Sequence, residues 1–347
     1  MDATGSRTAV APSQSPTRRI LRRASAVLIV LSAIPLVAWA AGALYYDLPA
    51  PPTLRSTAAI LWLTVAILAP ILARPRRWAI LGAVALFVAI VAWWLSISPR
   101  NDRDWQPDVA QLARATFDGD RVTIENVRNC DYRTETDYDP RWETRTYHLA
   151  DLRGVDAFIT TWGSPWMAHP ILSFDFGEGG HLCFSIETRK ERGESYSAIG
   201  GLYRQYELIY IAADERDVIR LRTNFRKGEE VYRYRLLVTP DVARSRLLGY
   251  LRRINELAQR PEFYNALTTN CTTSIRMQAD PNQRQPFDYR MLLNGTIDEL
   301  FYERGLIDRS RPFQVTKAEA HINQRANRAG DAPDFSELIR DPEPADH

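Results

Sequence analysis

The sequence predicts an α+β outer domain carried behind three membrane-spanning helices. Three observations lead there. The first hundred residues hold three apolar runs separated by short polar loops. Residues from about 121 to 238 read as a succession of short β-rich runs with turn signals between them. From Thr239 onward the pattern changes to helical periodicity with helix-start and helix-stop residues. Strands first and helices later is the order of an α+β domain.

The N-terminal part differs in charge from the rest. Residues 1–98 contain nine arginines, no lysine and two acids, a net of +7. The chain of 347 residues carries +2, so the remainder holds 35 basic and 40 acidic residues, a net of −5. A mildly acidic outer domain with interspersed signs lacks the concentrated basic footprint that nucleic acids require, which excludes that partner class. Residues 1–23 read as a polar, basic, disordered cytoplasmic tail. Residues 24–98 read as the anchor, with apolar runs at Ala24–Tyr45, Thr57–Ala73 and Trp78–Leu95, each near the length that crosses a bilayer. A cleaved signal peptide is the rival reading of the first run, but two more runs follow it closely.

Loop charge sets the expected orientation. Arginines precede the first run, and the loop between the second and third is Arg74-Pro75-Arg76-Arg77, whereas residues 46–56 carry only Asp47 and Arg55. Positive loops stay cytoplasmic. The expectation is therefore a bacterial inner-membrane protein with a cytoplasmic N-terminus and a periplasmic domain over residues 99–347. Tyr45, Tyr46, Trp78, Trp93 and Trp94 fall at run ends, where interfacial aromatics belong. No ionisable residue lies inside a run, so the helices read as an anchor rather than an ion path.

In the outer domain, Arg121–Arg128, Trp142–Leu149 and Val155–Trp162 read as strands, and 131–139 as a loop. The clearest signal is a hairpin: His169–Phe176 and His181–Thr188 joined by Gly177-Glu178-Gly179-Gly180. Tyr206–Ala213, Val231–Val238 and Asp217–Thr223 read as further strands. Thr239 with Pro240 starts a helix bearing Leu247, Leu248, Leu251, Ile254 and Leu257 on one stripe. Thr296 with Glu299, closed by Gly305, and Thr316 with Glu319, closed by Gly330, read as capping boxes.

The chemistry centres on PEFYNALTTNCTTSIRMQ, residues 261–278. Thr269 or Asn270 is a sound N-cap for a short helix. Cys271 then sits where the helix dipole lowers a thiol pKa and backbone N–H groups can hold an oxyanion, with Asn270 or Thr272 assisting. Cys271 reads as a nucleophile, against the alternative of a buried structural cysteine. The other cysteines, Cys130 and Cys183, either pair or stay separate; with no CxxC or Cys/His cluster, no metal site or cofactor is expected.

A thiol nucleophile needs a base. Of five histidines, His347 is terminal, His321 lies in a polar helical stretch, and His148 lies in a strand rich in arginine and glutamate. His169 and His181 remain, at the two ends of the hairpin. Glu187 is the choice for the group that orients the imidazole, because the hairpin register brings it near His169 or Pro170, although a one-residue slip turns it to the other face. His181 and Asp175 are its rivals, and His181 is also the alternative base.

Histidine before cysteine reverses the papain order and suits a circularly permuted papain-like fold. The sequence resembles the family of Lnb-type N-terminal periplasmic domains at RDWQPDVA (103–110), HPILSF (169–174), CFSIETRKE (183–191), ELIYIAADERDVIRLRT (207–223) and FYNALTTNCTT (263–273). That family is similar to permuted papain-like proteins such as lecithin:retinol acyltransferases and NlpC-type amidases. The resemblance implies Cys271 as nucleophile, His169 as its base, and lipoprotein N-acylation through a thioester, with the lipid bilayer as a partner. Two other readings stand beside it: a cysteine peptidase or amidase acting on cell-wall peptides, and a non-catalytic envelope protein.

Overall fold

In a computed structural model, the chain divides into two compact units, residues 1–98 and 99–347. The structure describes residues 16–268, 275 and 286–341.

The first unit is three helices: α1 (Pro16–Asp47), α2 (Pro52–Leu72) and α3 (Arg76–Ser96). Within them Val27–Asp47, Pro52–Leu72 and Arg76–Ser96 are long and apolar enough to cross a membrane. α1 begins at Pro16, so residues 16–23, read from sequence as part of a disordered tail, are helical. Two indole nitrogens tie the helices together. Trp62 Nε1 donates to the Val37 carbonyl at 2.9 Å, and Trp94 Nε1 to Asp47 at 2.6 Å.

The second unit is built on one eight-stranded sheet. Its strands are β1 (Arg114–Asp118), β2 (Arg121–Arg128), β5 (Trp142–His148), β6 (Gly154–Thr161), β7 (Ala168–Asp175), β8 (His181–Arg189), β9 (Glu207–Ala213) and β10 (Glu230–Arg235). A separate two-stranded ladder joins β3 (Asp131–Tyr132) to β4 (Tyr138–Asp139). The order across the large sheet is β1-β2-β9-β8-β7-β6-β10, with β5 also on β2. Its centre is antiparallel, and β2 meets β9 in parallel. The β7–β8 turn works through two glycines at positive φ, Gly177 at +60° and Gly180 at +79°, a backbone that side chains disfavour.

Both faces of the sheet are covered. Leu172, Phe174, Phe184 and Ile186 point to one face, where α5 (Pro240–Gln259) lays down Leu247, Tyr250, Leu251 and Ile254. Thr239 caps that helix, accepting from the Val242 N–H at 3.4 Å. Ile171, Cys183, Ile209 and Ile211 point to the opposite face, covered by α4 (Glu215–Arg220) and by helices near the C-terminus.

Several expectations need correction. Asp217–Thr223, read as a strand, is the end of α4 followed by a wider π-type turn, Leu221–Phe225. Asp214 caps α4 by accepting from the Arg216 N–H at 2.8 Å. Polar and apolar residues are buried alike in this segment: Asp217 is fully buried as the partner of Arg128 at 2.7 Å. Thr316 is internal to the helix Phe313–Ala320, which follows Pro312, so it caps nothing. Thr296 does sit at the N-cap of Ile297–Glu303 but its side chain makes no cap bond; the Glu299 N–H donates to Asp298 instead. Strand β1 was not foreseen. Cys130 and Cys183 are free thiols, both buried, so the pairing left open in the sequence is absent.

Candidate functional site

His169 and Glu187 come together because of hairpin register. Ile171 pairs with Ser185, and two further residues along the ladder set position 169 opposite 187. Side chains two apart share a face, so His169, Ile171, Ser185 and Glu187 all point toward α4. His169 Nε2 lies 2.8 Å from Ser185 Oγ, whose hydroxyl donates to Glu187 Oε1 at 2.7 Å. The direct His169 Nε2 to Glu187 Oε1 distance is 3.7 Å. Arg222, on the π-type turn, donates to Glu187 at 3.2 Å and to Glu229 at 3.1 Å. Arg226 also meets Glu229.

These neighbours decide charge. Burial and then the Arg222 guanidinium push the His169 pKa down to about 3, against the opposing pull of Glu187. Burial alone would raise the Glu187 carboxyl, but Arg222, with His169 and Arg226, outweighs it and holds the carboxyl below the ordinary range. At neutral pH the cluster is therefore a neutral imidazole beside a carboxylate clamped by arginine. Sequence reading missed Ser185, Arg222 and Arg226. Ser185 carries a usable signal, being two residues before Glu187 on one strand; Arg222 was hidden by the strand reading of its helix.

His181 stands at the far end of the hairpin. Its Nε2 lies 3.9 Å from Asp175 Oδ1, and its Nδ1 is buried with no hydrogen-bond partner among the described residues. It does not meet Glu187.

Cys271, Thr269, Asn270 and Thr272 lie outside the described residues. Two nearby anchors are described. Phe263 bridges Glu207 at the end of the sheet where His169 lies, and the Ala266 N–H donates to the Gly201 carbonyl there. Ile275, four residues after Cys271, accepts from Arg246 at its carbonyl at 3.2 Å. It lines an apolar pocket with Val155, Pro170, Leu172, Leu236 and Leu300, into which Arg246 and Arg304 bring the charge. Pro170 and Leu172 point away from the face that carries His169.

The other two thiols are unsuited to nucleophilic work. Burial, then Asp217, pushes Cys130 up to about 12, and burial raises Cys183 well above its ordinary value. A cysteine attacks as its thiolate. Among the described residues, no group of three or more His, Cys, Asp or Glu side chains is placed to hold a metal ion.

The fold and these sites define a class: a membrane-anchored chain whose outer part is a sheet-centred α+β domain with a histidine–carboxylate pair at one sheet end. Residues 138–295 match the model of the Lnb N-terminal periplasmic domain family. The match includes His169, Glu187 and Cys271; β1, β2 and the helices after 295 lie beyond it. No curated protein and no solved structure matches the chain.

Proposed function

We propose that the protein is a periplasmic acyltransferase or acyl hydrolase in which Cys271 takes an acyl group as a thioester and passes it to an amine or to water. The observation that carries this reading is the family match, which spans Cys271 together with the His169–Glu187 pair. In the reaction the Cys271 thiolate attacks the acyl carbonyl, the C–S bond forms and the donor's leaving group departs with a proton; a second nucleophile then breaks the C–S bond and frees the thiol. His169 serves as base, taking the thiol proton, and Glu187 holds the resulting imidazolium. Asn270 and Thr272 support the oxyanion, and the histidine-first order belongs to a permuted papain-like arrangement.

The apolar pocket favours a lipid over a cell-wall peptide as acyl donor. Its lining is aliphatic around Leu172, Ile275 and Leu300, with Arg246 and Arg304 available to an anionic head. An amidase for polar peptides would need hydrogen-bonding groups in their place. A lipoprotein donor or acceptor fits the same lining.

The test uses a thiol-reactive probe on the full chain. Cys271 should alkylate near neutral pH faster than a free thiol of pKa about 8.5, and Cys271→Ser should abolish activity while the protein stays folded. His169→Ala should slow turnover by ~10²–10⁴-fold and slow alkylation at neutral pH, with alkylation recovering at high pH. Should Cys271 react no faster than a model thiol and Cys271→Ser remain active, the enzymatic reading is wrong.

A further inference from the structure

We infer that the end of the outer domain bearing His169 is a lipid-facing surface that rests on the bilayer interface. Strand register defines this end. Thr161 pairs with Ala168, Arg189 with Glu207 and Glu230 with Thr161, so the loops 162–167 and 190–206 both emerge there. The segment around Phe263 joins them through its bridge to Glu207, and so does Asn294, whose side chain accepts from the Ala168 N–H at 2.7 Å.

These loops carry large apolar side chains that none of the described residues covers. Trp166 is 61% exposed, Ile199 60%, Leu267 58% and Leu293 46%, with Trp162 and Leu202 also exposed. The opposite sheet end is different. Its turns, 150–153 and 177–180, present Asp151, Arg153, Glu178 and glycines, and the large apolar side chains exposed nearby include Phe117 and Leu237 but no tryptophan among the described residues. Polarity is thus asymmetric along the strands, and it is asymmetric toward tryptophan and leucine, the residues that partition into the headgroup boundary.

Chain continuity identifies the occupant. The domain begins at the same end: the Arg100 N–H donates to Glu207 Oε1 at 3.1 Å, Arg103 pairs with Glu207 at 3.0 Å, and Asn101 Nδ2 donates to the Leu257 carbonyl at 3.0 Å. The last apolar helix ends at Ser96, which leaves Ile97, Ser98 and Pro99 before Arg100. Three residues extend about 10 Å at most. An entry held this firmly keeps the apolar loops within reach of the bilayer in which that helix ends. The partner is therefore lipid of the chain's own membrane, and the inference stands whatever chemistry Cys271 performs.

The test places p-benzoylphenylalanine singly at positions 166, 199 and 267, with position 178 as the control, in the full chain reconstituted in vesicles of phosphatidylethanolamine and phosphatidylglycerol. All four positions are exposed or in a surface turn, so folding should be unaffected, and a circular dichroism spectrum matching the parent checks it. Irradiation should yield phospholipid adducts, detected by mass, at 166, 199 and 267 and only background at 178. Equal lipid labelling at all four positions, adducts with protein in place of lipid, or no adduct at 166 and 267 would each overturn the inference.

Discussion

The imidazole of His169 is kept neutral by what surrounds it. An unfolded histidine titrates near 6.5, whereas burial and Arg222 bring the folded group to about 3. Between those values the unfolded chain binds a proton that the folded one refuses. This contribution to stability is fully present above pH 6.5 and is lost as the pH falls toward 3. Glu187, also held below its ordinary value, acts in the same direction at lower pH. The histidine share amounts to about 2 kcal/mol between pH 6.5 and pH 5, at about 1.4 kcal/mol per unit. His169→Asn should therefore shrink the fall in melting temperature between pH 7 and pH 5; an unchanged pH profile would show that His169 is more hydrated than its neighbours imply. Ser185 ties the pair together. Ser185→Ala leaves both the imidazole and the carboxylate short of one partner, which should cost about 1–3 kcal/mol and is read by denaturant titration of the purified protein. A neutral imidazole is also what a general base must be before it accepts a proton.

At the scale of elements, the hairpin and α4 show what sequence can and cannot carry. The β7–β8 hairpin was legible because alternation, a glycine-rich turn and register are all local, and register alone set Glu187 opposite His169. α5 was legible because a single apolar stripe, Leu247 to Leu257, recurs at helical spacing behind a Thr-Pro start. α4 was not, because tertiary contacts decide its burial. Asp217 accepts from Arg128 Nη2 at 2.7 Å and from the Cys130 N–H at 2.7 Å, interactions reaching more than eighty residues back. The short strand β1 was hidden for a similar reason: one of its five residues, Ala115, is buried, so it offers almost no alternation. The Arg128–Asp217 pair is fully inside the domain and joins β2 to α4. Arg128→Met leaves the Asp217 carboxylate buried without its cation, and breaking such a pair costs about 3–5 kcal/mol. The loss should appear as a lowered unfolding midpoint, and replacing Asp217 by Leu in the same chain should recover part of it. If the single substitution costs less than about 1 kcal/mol, water must reach the site and α4 is not fastened there as described.

For the whole molecule, the arrangement of charge along the first hundred residues carries a prediction of orientation. Arginines crowd the first turns of α1 and fill the 74–77 loop, while residues 46–56 hold only Asp47 and Arg55. Residues 138–295 match a periplasmic domain family, and three spans from a cytoplasmic N-terminus would deliver the chain after Ser98 to that side, so the loop charges and the match point to one topology. Alkaline phosphatase folds and acts outside the cytoplasm, so a fusion after Gly330 should be active, and a cytoplasmic reporter at the same position should be silent. Exchanging Arg74, Arg76 and Arg77 for Ser, with Lys residues added to the 46–56 loop, works against the orientation at its source. That variant should lower the phosphatase activity of the fusion while leaving the amount of protein in the membrane similar. A silent phosphatase with an active cytoplasmic reporter in the parent chain would mean that an even number of spans precedes the domain. Since each of the three helices is about as long as the hydrocarbon layer requires, the first to be doubted would be α2, whose mean hydropathy of 1.7 is below the 2.3 of the other two.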